Sequence, residues 1–302
     1  MTRGWLLRAP WVGALAVVAG CLSFHAGPMP GEPVDATFME VDGVRLRYLD
    51  EGQGAPVVLI HGFASAIENW AAVIPKLRER HRVIALDLKG FGWSDRPEGD
   101  YSPEAEARLV LGLMDRLHVD RAAVVAHSWG SSVALALALQ APERVSRLAL
   151  YDAWVYESQQ PSFFLWSRAA GLGEFLVGAY YDQRPDDRMT AAFFNKDAIP
   201  ERLIEEVESA LERPGTKAAA LAAIRGQRFA ELEGRYGTIE APALLLWGRE
   251  DEVTPVSVGE QLVRQLRDAR LIVYERCGHF PMIEAEATST RDLMAFLAEG
   301  AL

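Results

Sequence analysis

The chain has 302 residues, 31 basic against 42 acidic side chains, a formal net charge of -11 and 50% hydrophobic composition. That much apolar surface can bury a core and offset chain entropy, so intrinsic disorder is excluded. An acidic balance has the wrong long-range sign for a phosphate backbone, so no nucleic acid is expected as partner, and 2 cysteines exclude a disulfide framework.

The N-terminus carries Arg3 and Arg8 and no acid, followed by an apolar run from Ala9 to Gly20 that ends at Cys21. The run is shorter than the ~20 residues a membrane-spanning helix needs. A basic stretch before a short apolar one is the pattern of a signal peptide, to be set aside from fold reasoning. Residues 1–20 are therefore expected to be an address. Val18-Ala19-Gly20-Cys21 resembles the lipobox of bacterial lipoproteins, which implies acylation of Cys21 and a lipid anchor in the cell envelope. Leu22 in the next position resembles lipoproteins sorted to an outer membrane, where the host has one. Periplasmic or secreted release is the alternative. Residues 21–35, with Gly27, Pro28, Pro30, Gly31 and Pro33, read as a linker.

Beyond it, Thr37–Val41 and Val44–Leu49 alternate around Asp42-Gly43, a hairpin signature. Apolar runs at Pro56–Ile60, Val83–Leu86, Ala122–Ala126, Leu148–Tyr151, Ala243–Trp247 and Leu271–Tyr274 read as strands buried on both faces. Helical patterns fill the intervals at Asn69–Arg80, Pro103–Leu117, Trp129–Ala141 and Val256–Leu266. Alternation of this kind after a hairpin predicts an α/β fold with a mixed, mostly parallel eight-stranded sheet and helices on both faces. After the sixth strand, residues 153–234 hold helical patterns such as Glu201–Leu211 and Lys217–Arg228 and no convincing strand. They predict a helical cap, with residues 36–152 and 235–302 forming the core. Ten of the chain's aromatics lie between Trp154 and Phe194 (Trp154, Tyr156, Phe163, Phe164, Trp166, Phe175, Tyr180, Tyr181, Phe193 and Phe194). Most are expected to pack the cap onto the core, and some to line an apolar pocket.

The segment Ala122–Gly130 runs a buried strand straight into Ala126-His127-Ser128-Trp129-Gly130 and an apolar helix. A serine on such a turn has its hydroxyl exposed, and small flanking residues let the backbone fold sharply. His61-Gly62-Phe63 follows the first buried strand, Trp247-Gly248-Arg249-Glu250-Asp251 a later one, and Cys277-Gly278-His279 the last. With this chain order of Ser128, Asp251 and His279, the sequence resembles the α/β-hydrolase superfamily from about Thr37 to the C-terminus. Asp87–Asp95 and Ala141–Val145 add to the likeness. The resemblance implies Ser128 as nucleophile, His279 as base, Asp251 as the acid that orients it, and the N–H groups of Phe63 and Trp129 as oxyanion hole. No cofactor or metal is expected.

Relatives that displace halide or open epoxides carry Asp at the position of Ser128, so acyl transfer to water is the expected reaction. The leading expectation is hydrolysis of a small to medium hydrophobic carboxylic ester. Alternatives on the same triad are carbon–carbon hydrolysis of diketones and proline-type aminopeptidase action, for which Glu174, Glu201, Glu205 and Glu206 are candidate amine partners. A binding protein without activity is the alternative of another class. Asp152, at the end of another strand, is a rival for the triad acid. His25, His81 and His118 are read as non-catalytic, His127 as a packed elbow residue, His61 as a brace for the oxyanion loop and Cys277 as a small buried hydrophobe.

Overall fold

The computed structural model describes residues 22–181 and 190–299. Residues 1–20, expected from the sequence to be an address, and Cys21 lie outside the described residues. A single sheet carries the molecule: β1 (Thr37–Val41), β2 (Val44–Glu51), β3 (Ala55–Ile60), β4 (His81–Leu86), β5 (Ala122–His127), β6 (Val145–Tyr151), β7 (Ala243–Gly248) and β8 (Ala269–Tyr274). Their order across it is β1-β2-β4-β3-β5-β6-β7-β8. The β1–β2 and β2–β4 pairs are antiparallel and the rest parallel. Asp42 and Gly43 both take positive φ, 49° and 76°, which suits the tight hairpin between β1 and β2.

Helices α1 (Ile74–Leu77), α2 (Pro103–Arg116) and α3 (Gly130–Gln140) precede β6. Between β6 and β7 come α4 (Ser162–Ser167), α5 (Leu172–Tyr180), α6 (Glu201–Glu212), α7 (Thr216–Gly226) and α8 (Ala230–Glu233). Helices α9 (Val256–Gln265), α10 (Pro281–Glu284) and α11 (Glu286–Ala298) complete the described chain. Leu113, Val133 and Leu262 pack in the core on one face of the sheet, and Leu77, Leu293 and Phe296 in the core on the other. The central strands are covered on both sides, which is why β5 and β7 are buried at every residue.

Two expectations are corrected. Asn69–Arg80 is not one helix: a 3-10 turn at Ile67–Trp70 is followed by the separate α1. Pro75 enforces the break, since its ring would clash with the carbonyl a turn earlier and it donates no N–H. Nor is the stretch 23–35 a free linker. His25 pairs with Arg96 through two backbone bonds of 2.8 and 2.7 Å, Gly27 N–H donates to Asp95 at 2.8 Å, and Met29 is buried. Phe24 stacks on Tyr101, and Glu32 pairs with Arg45. The segment is a strap laid on the core.

One buried acid makes the fold sensitive to pH. Glu106 on α2 is fully buried, with one carboxyl oxygen accepting the Lys89 N–H at 3.2 Å. Burial pushes its carboxyl up to about 8 despite the attraction of Lys89. The folded state thus keeps a proton that the unfolded chain releases near 4.5. This stabilisation is complete below that value and is lost as pH rises toward 8, by about 1.4 kcal/mol per pH unit. Glu106→Gln should therefore flatten the fall in melting temperature between pH 5 and pH 8, as followed by circular dichroism.

Candidate active site

Ser128 stands between β5 and α3 with φ of +50°. That left-handed backbone is costly for a non-glycine residue and persists because its surroundings hold it. Its N–H donates to the Tyr151 carbonyl at 2.9 Å, and its carbonyl accepts from Trp154 N–H at 3.1 Å and Ser131 N–H at 2.9 Å. The end of β6 and the loop after it, together with the first turn of α3, thus clamp the turn. Gly130 is small for a definite reason. A Cβ there would lie 2.3 Å from the His61 carbonyl oxygen and 2.8 Å from that of Ile60. Gly130→Ala should push the His61–Phe63 loop away from Ser128, lower the melting temperature by an amount equivalent to ~1–3 kcal/mol, and reduce turnover at least about tenfold.

His279 and Asp251 are brought together from the ends of β8 and β7. His279 Nδ1 lies 2.7 Å from Asp251 Oδ2. The other oxygen, Oδ1, accepts from Val253 N–H at 2.7 Å and Thr254 N–H at 2.9 Å, and the Thr254 hydroxyl donates to Oδ2 at 2.6 Å. Burial pushes this carboxyl up, but His279 and the Thr254 donors outweigh it and hold Asp251 below the usual carboxylate range. It therefore stays ionised beside the imidazole, the condition for fixing the ring's tautomer.

Asp152 is close by and fully buried, with Oδ1 accepting from Gly248 N–H at 2.9 Å. Burial, and then the charge of Asp251, raise it well above the ordinary value and so favour the protonated form of this second acid. Ligand atoms of Asp152, Asp251 and His279 lie within 4.8 Å of one another. Asp251 already accepts from His279 and both Thr254 donors, so a cation in this cluster would have to displace them; the donor set is built for hydrogen bonding.

Two further histidines brace the site. The Leu88 N–H donates to His61 Nε2 at 3.0 Å, so Nδ1 carries the proton and donates to the Gly62 carbonyl at 2.7 Å. That bond fixes the peptide whose other end is the Phe63 N–H. Neither the Phe63 nor the Trp129 N–H is spent on a backbone carbonyl among the described residues. His127 Nε2 donates to the His279 carbonyl at 2.8 Å, which leaves Nδ1 to accept from Asn69 Nδ2 at 3.1 Å. Burial pushes the pKa of His127 well below its ordinary value, so it is neutral. Asn69 has no sequence signal, because its partner is 58 residues away. Cys277 is buried and its thiol is pushed up by that burial.

Ser128 and His279 open into a chamber of about 460 Å³. Of the described aromatics between Trp154 and Phe194, Trp154, Phe163, Phe164 and Tyr181 are on its wall. Phe193 instead stacks on Phe280, while Trp166 and Phe194 are exposed. Among the described residues no Asp, Glu, Lys or Arg lines the chamber. Glu174 pairs with Arg225 and Glu206 with Arg213, Glu201 and Glu205 are exposed, and none of the four is on the chamber wall. Larger in volume, an open cleft bordered by Leu22, Tyr101 and Arg225 lies apart from Ser128.

A family model for the alpha/beta hydrolase fold matches residues 55–286. The chain is 34% identical to 2-hydroxy-6-oxononadienedioate/2-hydroxy-6-oxononatrienedioate hydrolase of Paraburkholderia xenovorans, over 86% of this chain and 93% of that one. It superimposes on a meta-cleavage product hydrolase from Pseudomonas fluorescens IP01 with a TM-score of 0.72 and 29% identity, covering 87% of this chain and 97% of the other. A bacterial membrane phospholipase A gives a TM-score of 0.73 with 28% identity, covering 95% of this chain and 89% of the other.

Proposed function

The chain belongs to the alpha/beta hydrolase family, and from that premise we propose that it is a serine hydrolase cleaving an uncharged, hydrophobic carboxylic ester. Ser128 attacks the ester carbonyl as His279 takes its proton, and Asp251 stabilises the imidazolium that forms. The tetrahedral oxyanion sits against the N–H groups of Phe63 and Trp129, His279 returns the proton to the departing alkoxide, and water then releases the acid. The observation that carries the ester reading is the chamber wall, apolar and without a charged side chain among the described residues. Such a wall suits an acyl chain; a carboxylate-bearing substrate would lose hydration there with no cationic partner among the described residues.

The second reading is carbon–carbon hydrolysis, and the relatives favour it: the Paraburkholderia enzyme is named for dicarboxylate substrates of this kind. Aminopeptidase action has less support, since the candidate acids are directed elsewhere. The full chain should be assayed with p-nitrophenyl esters from acetate to palmitate and with a 2-hydroxy-6-oxo-dienoate followed by its absorbance. Turnover of a mid-length ester with the dienoate untouched is the expected result. The reverse would replace the ester reading with the second one.

For location, the reading is a bacterial envelope protein held by lipid at Cys21, supported by the run Ala9–Cys21 and by the likeness to a membrane phospholipase. Cys21→Ser should move the chain from the membrane to the soluble fraction on ultracentrifugation.

A further inference from the structure

Where α4 runs into α5, the cap presents an apolar face to the outside. Leu165, Trp166, Leu172 and Phe175 are 40–61% exposed, and they are four of the six large apolar side chains exposed among the described residues. Residues 169–171 between them, two alanines and a glycine, are exposed as well. The two charged side chains of this stretch are taken up by partners: Arg168 pairs with Glu157 at 2.5 Å and Glu174 with Arg225 at 2.9 Å. Helix geometry explains the division. On α4, Phe163 and Phe164 line the chamber; two residues further on, about 200° around a helix of 3.6 residues per turn, Leu165 and Trp166 are exposed. On α5, Gly173 and Val177 are buried one turn apart, whereas Leu172 and Phe175 share an outward face.

The N-terminal strap points to what covers this face. Residues 23–35 are fixed to the core through Arg96 and Asp95, so they provide no slack. Ahead of them, Leu22 packs on the apolar cluster formed by Val177 of α5 with Leu221 and Ile224 of α7. Leu22 and Glu174 of α5 also border the same open cleft. Cys21 is the next residue, its Cα about 3.8 Å from that of Leu22, and the apolar run from Ala9 precedes it. A chain held to a membrane at Cys21 is therefore held with the cap beside the lipid, not on a tether a dozen residues long. We propose that the outer face of α4 and α5 docks on a lipid surface, with Leu165, Trp166 and Leu172 entering the boundary between headgroups and acyl chains. A tryptophan among leucines suits that boundary. With a net charge of -11 the chain gains nothing from anionic headgroups, so the attachment is apolar. Because α4 lines the chamber on its other side, docking sets the chamber within a helix's width, about 10 Å, of the lipid. The inference rests on the envelope reading given above and adds the orientation of the domain.

The test places an environment-sensitive nitrobenzoxadiazole label at Ala170→Cys in the full chain, between α4 and α5. The control is Arg116→Cys, the last residue of α2, just ahead of β5, with Ser128 at the other end of that strand. Cys277 is buried, and the unsubstituted chain gives the background labelling. Phosphatidylcholine vesicles are added, and the bound chain is separated by flotation. A blue shift and a rise in emission are expected at residue 170, quenched by lipids brominated on their acyl chains and unchanged at high salt, with neither effect at residue 116. Trp166→Ser combined with Leu172→Ser, at positions exposed enough for the melting temperature to hold, should raise the lipid concentration for half the shift in the Cys21→Ser chain about tenfold. Vesicle-bound chain with no change at 170, or with the same change at 116, would overturn the docking face and leave the anchor in place. A shift that grows with protein concentration before lipid is added would overturn it in favour of a second copy of the chain. A shift that needs anionic lipid and disappears with salt would overturn the apolar attachment. The Cys21→Ser chain separates the two readings: if it floats as well as the natural chain and keeps the shift at 170, Cys21 is lost as the anchor and the docking face stands. A natural chain that never floats ends both.

Discussion

Ser128→Ala should lower kcat for whichever ester the protein turns over by a factor on the order of 10⁴ to 10⁶, and should abolish labelling by a fluorophosphonate. The geometry makes the loss specific. The turn is held by backbone bonds of residue 128 to Tyr151, Trp154 and Ser131, none of which uses the side chain. Alanine therefore keeps the clamp and removes one oxygen, so the melting temperature should hold while activity goes. Residual turnover above the uncatalysed rate is expected from the N–H groups of Phe63 and Trp129 and from binding alone. A variant within tenfold of the natural chain would mean that Ser128 is not the nucleophile.

The second large effect separates two acids. Asp251→Asn should cost on the order of 10⁴ in kcat, because an amide beside His279 Nδ1 favours the wrong tautomer and cannot stabilise the imidazolium. Asp152→Asn should cost less than about tenfold. Burial and the charge of Asp251 favour the neutral form of Asp152, and asparagine preserves its acceptor for the Gly248 N–H. The two carboxyl groups are near enough that the distinction is worth making by experiment. Steady-state kinetics on the two single variants decides it. A large loss in Asp152→Asn with a small one in Asp251→Asn would move the orienting acid from the end of β7 to the end of β6.

The Thr254 donors matter to this difference. Asp251 receives three hydrogen bonds from Val253 and Thr254 besides the one from His279, and these keep it charged in a buried place. Asp152 receives one from the Gly248 backbone. With both carboxyls buried, unequal donor supply pushes their pKa values in opposite directions, and so toward different chemical uses.

Much of this molecule was decided by local pattern. Each of the eight strands is announced by apolar or alternating residues, since a strand covered on both faces or one must be written that way in consecutive positions. The same holds for the strand–turn–helix around Ser128 and for the chain order Ser128, Asp251, His279, because each lies at the end of a strand that the pattern reveals. Tertiary structure decided what depended on partners far apart in the chain. The Gly- and Pro-rich residues 23–35 read as a spacer, yet Arg96 and Asp95, about 70 residues on, turn them into a strap. Asn69 reaches His279 only through His127, across 58 and then 152 residues. Composition gathered ten aromatics after β6, but only packing chose which of them face the chamber and which face outward. The physical reason is range: periodicity records which face of an element is buried, whereas hydrogen-bond satisfaction and cavity lining depend on atoms that meet only when the elements have packed.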